Sequence, residues 1–515
     1  MNERHKRNLV FDQAWRSCSA FCDVTDPVRC KTYMFSMLFV KYISDIHASR
    51  RVVYNAKYSG DAIRVERALR RERFVIPLIE IRDREGRVKE SFPAVFKSLY
   101  ERRGHPGIGE LINVFLSHLE EANKVKLHHV FRHIDFNSDA GLGRLQQRNA
   151  RLKRLIENLN DLDLRSESVG SMDVVEDVFE FLIEKFAATA GKKNGFYTPA
   201  AVSETLVRLL APRPGDRICD PVCGSGSLLI RAGRQVGSDD YALYGQEIKD
   251  GTWALCKMNM FLHGLDSARI EREDALRRPR FLDHGNILMK FDVVLADPPF
   301  SLDKWGQEMA ADDRFNRFYR GIPPKSKGDW AFICHILSIL REDGGRAGVV
   351  VPHGVLFRGG REGRIRETVI RENLLDSVIG LPGNLFHGTG IPAALMIFDT
   401  SRPKGVNGDV LFIDASREFE RGIHRNRLRL RDIEMIVNTC RDRRTMDGYS
   451  CPASFKEIEA NEFSLNIPLY VDTFESGPEV DINAVQQEID LLQRELADTQ
   501  DKMNDYLNAL GFSRP

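Results

Sequence analysis

The sequence predicts an α/β protein in which a parallel β-sheet flanked by helices follows an all-helical region and precedes a helical tail. Two observations carry this. From about Val169 the short runs DRICD, YALYGQEI, FDVVLAD, RAGVVVP and LLDSVIGLP alternate with amphipathic stretches, the signature of βαβ units. On either side of that region the apolar residues instead recur at three and four spacing, the helical period.

Residues 1–165 form the expected helical domain, with Pro27 as a helix-start signal inside WRSCSAFCDVTDPVRCKTYMFSMLFVKYISDI. Arginines are dense in RVERALRRERF, where a solvated helix face is the simpler reading and a phosphate-facing surface the other. Residues 166–472 hold the alternating region, which fades after about Pro403 into LFIDAS and a basic, helix-like stretch, HRNRLRLRDIEMIV. In residues 473–515, Val485, Ile489, Leu492, Leu496, Met503, Tyr506 and Leu510 make an amphipathic, coiled-coil-like helix. A helix this short is marginal alone and is expected to dock on something.

The 515 residues are 42% hydrophobic, enough for two to four domains. Lys+Arg (75) balances Asp+Glu (74), so any nucleic-acid footprint must be local. The nine cysteines show no zinc-ligand spacing, no metal site is expected, and reduced thiols follow, with Cys18, Cys22 and Cys30 read as core packing. No apolar stretch approaches the roughly 18 residues of a membrane span, and MNERHKRNLV lacks the apolar centre of a signal peptide. A soluble, cytoplasmic protein with no membrane contact is expected.

The chemistry lies at the strand ends. In DRICDPVCGSGSLLIRAG a strand runs into a Gly-rich turn and then a helix, making Asp220, Gly224, Ser225, Gly226 and Ser227 candidate ligand contacts. Such a loop is weak by itself, because several nucleotide folds use similar turns. Glu247 ends the next strand, 21 residues beyond Gly226, near the spacing at which an acid reaches ribose hydroxyls; a local cap is the alternative. The loop lacks the phosphate-binding patterns, so a ligand with an adenosine and no phosphate fits better, and S-adenosylmethionine is one. Asp274, in EREDAL, is then placed to accept from the adenine amino group.

FDVVLADPPFS stops an apolar strand at an acid and two prolines, which cannot continue a ladder and hold a rigid turn. Asp297 and the Pro298 carbonyl can each accept a hydrogen from an exocyclic amine, drawing its lone pair out of the ring and toward a methyl sulfonium. Pro299 stiffens the turn, and Phe300 can stack on a base flipped out of its duplex. Cys223 is read as a small packed residue, and His335, within WAFICHILSIL, as a satisfied helix residue. His353 and His387 stand in loops near the presumed site with no required role.

DPPF downstream of a DPxCGSG loop resembles the amino-methyltransferase signature [DNS]PP[YFW]. NGFYTPAAVSETLVRLL, DPVCGSGSLLI, GQEI, ADPPFS, KSKGDWAFICHIL, GGRAGVVVPHGVLFRGGREGRIRETVI and LPGNLFHGTGIPAALMIFD together resemble the modification subunit of type I restriction–modification systems. The resemblance implies a Rossmann-like S-adenosylmethionine-dependent methyltransferase sheet that methylates adenine N6 in DNA. It implies cofactor contacts at Phe196, Tyr197, Thr198 and Pro199, and departs at Asp297, where the family usually has Asn. It also implies partners: a separate specificity subunit, a second copy of this chain and, in some complexes, a restriction subunit. About a hundred residues follow LPGNLFHGTGIPAALMIFD, little room for a base reader, and Arg425–Arg431 reads equally as phosphate contact or solvated helix face. Methylation of RNA or of a protein glutamine, and a non-catalytic scaffold in a defence complex, remain as alternatives.

Overall fold

The structure is a computed structural model that describes residues 3–22, 27–83, 85–162, 164, 172–190, 198–386, 390–422, 425–472 and 482–510. The chain divides into a compact unit, Met1–Val471, and a second unit, Asp472–Pro515.

The first unit opens with helices Glu3–Cys22, Pro27–Lys57 and Ala62–Leu69, Pro27 starting the second of them as its fixed φ favours. An all-helical beginning is corrected at one place. Strands β1 (Leu78–Arg82) and β2 (Val88–Pro93) form an antiparallel hairpin before helices Ile108–Ala122, Leu145–Asn160 and Met172–Ala190. Only Ile79 and Phe92, which face each other across the hairpin, are buried. With every other position at least partly exposed, the two-residue apolar period is almost absent from the sequence.

The main sheet has nine strands: β3 (Arg217–Asp220), β4 (Ala242–Glu247), β5 (Arg269–Arg272), β6 (Val293–Ala296), β7 (Arg346–Pro352), β8 (Leu375–Gly380), β9 (Ala393–Asp399), β10 (Val410–Asp414) and β13 (Ser450–Ala453). Their spatial order is β13-β10-β8-β9-β7-β6-β3-β4-β5. Strands β11 (Glu420–Arg421) and β12 (Asn426–Arg427) make a separate small ribbon. The sheet is mixed where a parallel one was expected: β9 runs antiparallel between β7 and β8, and β13 runs antiparallel on β10. The cause is the connection. Helix Gly360–Arg371 carries the chain from β7 across to β8, whereas no helix lies between β8 and β9 among the described residues, and a parallel return needs a crossover.

Alternate residues of the central strands enter two apolar layers. Ile218, Val293, Leu295 and Val350 face one core, while Cys219, Val294, Ala296 and Val349 face the other, beneath helices Asp329–Ile339 and Gly360–Arg371. The first core continues into the N-terminal helices: Phe39 and Phe74 pack on Phe261 of helix Asp250–Leu262, with ring centroids 6.2 and 5.8 Å apart. Beside them Arg73 and Lys126 converge on Asp266, each with a 2.8 Å hydrogen bond.

Cys30 is disulfide-bonded, which corrects the expectation of nine reduced thiols; seven other cysteines are free. Spacing alone cannot reveal which thiols come within bridging distance. His335 is buried, with Nδ1 3.2 Å from a guanidinium nitrogen of Arg317, and burial lowers its pKa, so it is a satisfied acceptor within its helix. Among the described residues no helix is long and apolar enough to cross a membrane. The second unit is built on one helix, Ile482–Ala509, whose apolar residues, Leu492 and Leu496 among them, are exposed.

Candidate active site

Strands β3 and β6 are parallel neighbours, with Ile218 opposite Val293 and Cys219 opposite Val294, so their carboxyl ends emerge side by side. Asp220 is the last residue of β3, and Asp297 follows β6 directly. Ligands of open α/β sheets bind at this edge.

Asp297 is held by Thr198, whose hydroxyl donates to Oδ2 at 2.5 Å. Its Oδ1 is buried and has no hydrogen-bond partner among the described residues. Burial raises the pKa to about 7, against the opposing pull of the Thr198 bond. Asp220 is 1% exposed and accepts from the Val222 amide at 2.9 Å. Burial raises its pKa well above the usual carboxylate range, and the like charges of Asp297 and Glu247 add to the rise.

Gly224 (φ 54°) and Gly226 (φ 84°) turn the loop through left-handed conformations, and Gly226 caps helix Ser227–Val236. A Cβ on Gly226 would lie 2.5 Å from Met260 Cε and 2.8 Å from Cys256 Sγ, so the loop also needs glycine for its packing. Ser227 Oγ donates to Glu180 Oε1 at 2.9 Å, and Asn259 Nδ2 donates to the Ser225 carbonyl at 3.0 Å. Glu180 and Asn259 therefore brace the loop from two helices. Neither was singled out from the sequence, since an acid or amide in a helix carries no local sign of its partner. Cys223 is a buried free thiol, its Sγ 3.8 Å from that of Cys256, and it is small packing as read.

A cavity of about 100 Å³ at this edge is lined by Thr198, Asp220, Gly224, Ser225, Ser227 and Asp297 among others. A larger hollow of about 690 Å³ lies at the opposite edge, near Leu374 and Thr400, but several of its charged groups are already paired, Arg320 with Glu372 and Arg341 with Asp292. The smaller cavity holds the unsatisfied chemistry.

The other described residues expected at the site are not among its lining. Pro199 precedes helix Ala200–Leu210 as its N-cap. Glu247 accepts the Lys249 amide at 2.7 Å, so one oxygen makes a local turn, and burial raises its pKa. Asp274 also holds a turn, accepting from the Leu276 amide at 2.9 Å, and lies outside the cavity lining. Phe300 meets Phe386 edge to face with centroids 5.7 Å apart, an aromatic neighbour not foreseen. Phe196, Tyr197 and His387 lie outside the described residues. His353 Nε2 is 3.2 Å from the Ala393 carbonyl. In the basic stretch, Arg425 pairs with Glu184 at 2.8 Å and Arg429 with Asp432 at 2.8 Å, while Arg431 is largely exposed.

The turn after Phe300 is pinned from behind. Ser301 has φ 52°, and its amide donates to Asp329 Oδ1 at 2.7 Å. Arg358 donates to Asp329 Oδ2 at 2.9 Å, to Glu362 Oε1 at 3.1 Å and to Ser301 Oγ at 3.3 Å. Asp329 and Glu362 are buried, so this network fixes the exit of DPPF without entering the cavity.

Residues 170–478 match the N-6 DNA Methylase family, and residues 12–159 match the HsdM N-terminal domain. The chain is 31% identical over 439 residues to the type I restriction enzyme MpnII methylase subunit of Mycoplasma pneumoniae, covering 81% of this chain and 80% of that one. It is 31% identical over 370 residues to the MjaVIII methylase subunit of Methanocaldococcus jannaschii, covering 70% of this chain and 64% of the relative, so it spans just under two thirds of that protein. The structure is similar to that of a type I restriction-modification system methyltransferase subunit from Streptococcus thermophilus, with TM-score 0.75 and 30% identity, covering 90% of this chain and 100% of that one. The nine-stranded sheet with its one inserted antiparallel strand is thus the sheet of an S-adenosylmethionine-dependent methyltransferase fold. With a match over more than half its length, this chain belongs to the N-6 DNA methylase family of type I restriction–modification methylase subunits.

Proposed function

We propose that this protein methylates the N6 amino group of adenine in DNA, with S-adenosylmethionine as methyl donor, as the modification subunit of a type I restriction–modification complex. The single observation that carries the reading is the buried Oδ1 of Asp297 at the end of β6, unpartnered among the described residues, beside the Gly loop that follows β3. The lining fits the cofactor: Asp220 suits its ammonium, and the left-handed Gly224–Gly226 turn leaves room for close approach of its amino-acid end. Glu247 takes the ribose and Asp274 the adenine amine, and the family resemblance gives Phe196, Tyr197, Thr198 and Pro199 a share in cofactor binding.

When bound, S-adenosylmethionine supplies an electrophilic methyl group on a sulfonium. The chain's own part is to prepare the nucleophile. Ionised Asp297 accepts one hydrogen of the adenine amine and the Pro298 carbonyl accepts the other, which localises the nitrogen lone pair. Pro299 keeps that carbonyl fixed, and Phe300, with Phe386 behind it, stacks on the flipped base. Thr198 orients the carboxylate and leaves Oδ1 for substrate.

In this reading residues 1–165 form a mainly helical domain that includes the β1–β2 hairpin, 166–472 the catalytic domain and 473–515 a docking segment, all working in the cytoplasm on double-stranded DNA. A specificity subunit reads the target, a second copy of this chain flanks it, and a restriction subunit can join. The exposed apolar stripe of helix Ile482–Ala509 supports docking on such a partner.

Co-expression with the neighbouring specificity-type subunit, followed by single-molecule sequencing of host DNA, tests the reading. One bipartite motif should carry N6-methyladenine, and Asp297→Ala should abolish it. Unmodified DNA from a chain that still binds S-adenosylmethionine would turn the reading to RNA, protein or scaffold. Removal of residues 480–515 should end co-purification of the partner, and unchanged co-purification would refute the docking role.

A further inference from the structure

We infer that Lys31, on the long N-terminal helix, is a cofactor-contact residue whose ammonium takes the carboxylate of S-adenosylmethionine. The inference rests on the reading of the cavity given above. Lys31 lines that cavity together with Thr198, Asp220, Ser225 and Asp297, and it also lines an adjoining hollow with Lys249 and Thr252. It is therefore a side chain from the region matching the HsdM N-terminal domain that reaches the Gly loop of the sheet.

Charge assigns its partner. Among the described residues lining the cavity, Lys31 is the only cation, and Asp220 and Asp297 are the acids. The ligand carries a sulfonium, an ammonium and one carboxylate. Asp220 suits the ammonium and Asp297 is kept for the substrate amine, which leaves the lysine for the ligand's single anion. The lysine is also unspent. It makes no hydrogen bond or ion pair among the described residues, and the charges acting on it are the Glu247 carboxylate and the opposing Lys249 ammonium. Burial lowers its pKa to about 8, the behaviour of an ammonium short of counter-charge, which a bound carboxylate would restore.

Calorimetric titration of the full-length chain with S-adenosylhomocysteine and with 5′-methylthioadenosine tests this, since the second ligand keeps the nucleoside and lacks the amino-acid end. Lys31→Met should weaken S-adenosylhomocysteine by about tenfold or more, as loss of a charge-assisted bond does. It should leave 5′-methylthioadenosine unchanged, and Lys31→Arg should restore most of the lost affinity. Equal weakening of both ligands, or unchanged S-adenosylhomocysteine binding, would overturn the assignment. A wild-type chain that binds neither ligand would instead overturn the reading of the cavity, and the inference with it.

Discussion

Asp297 carries an unusual demand in the proposed reaction, where it must be ionised to accept an amine hydrogen and yet is buried with one oxygen unpartnered among the described residues. With its pKa near 7, the acceptor form grows as pH rises through neutrality. The wild-type kcat/KM should therefore climb with an inflection near 7, whereas Asp297→Asn, neutral at all pH, should keep activity within about tenfold and lose the inflection. The same inflection in both proteins would show that another group titrates. Stability should move the opposite way. A carboxyl whose folded pKa lies above its unfolded value destabilises the fold as pH rises from about 4 to 7, since the unfolded chain gives up its proton first. Asp297→Asn should thus gain thermal stability over wild type at pH 8 and little at pH 4. The sequence made Asp297 visible because two prolines follow it. It hid Lys31, whose neighbours in the chain are ordinary helix core and whose fellow lining acids, Asp220 and Asp297, stand far along the chain.

At the scale of elements, the exit from DPPF depends on two helices that contribute nothing to the cavity lining. Asp329 begins helix Asp329–Ile339, and Glu362 sits in the first turn of Gly360–Arg371, with Arg358 between them. Asp329→Asn removes the charge that Arg358 and the Ser301 amide share, and should lower kcat by roughly 10- to 100-fold through misplacement of the turn. Cofactor affinity should stay within about twofold, because none of these residues lines the cavity. A loss in cofactor binding equal to the loss in kcat would mean the network supports the fold at large. Sequence reading found the strands that are buried on both faces, since continuous apolar runs such as FDVVLA and RAGVVV announce themselves. It missed β1 and β2, with one buried residue each, and the direction of β9, which depends on the route of the connection and not on the strand's own residues.

For the whole molecule, the apolar core that runs from the N-terminal helices into one face of the sheet ties the region matching HsdM to the catalytic sheet. Residues 1–471 should unfold in one transition, and Asp266→Ala should lower its midpoint, since Arg73 and Lys126 lose a shared partner worth roughly 1–3 kcal/mol. A separate early transition of the N-terminal part would refute that coupling. The order of the sheet has a bearing on assembly as well. Its two outer strands are β5, four residues long with arginine at both ends, and β13, which contains Pro452. Neither rim offers a long uncharged row of backbone amides on which a foreign strand could lengthen the sheet. In the proposed complex, copies of this chain would thereby be steered to meet through helices, and the rims would guard against strand-to-strand aggregation.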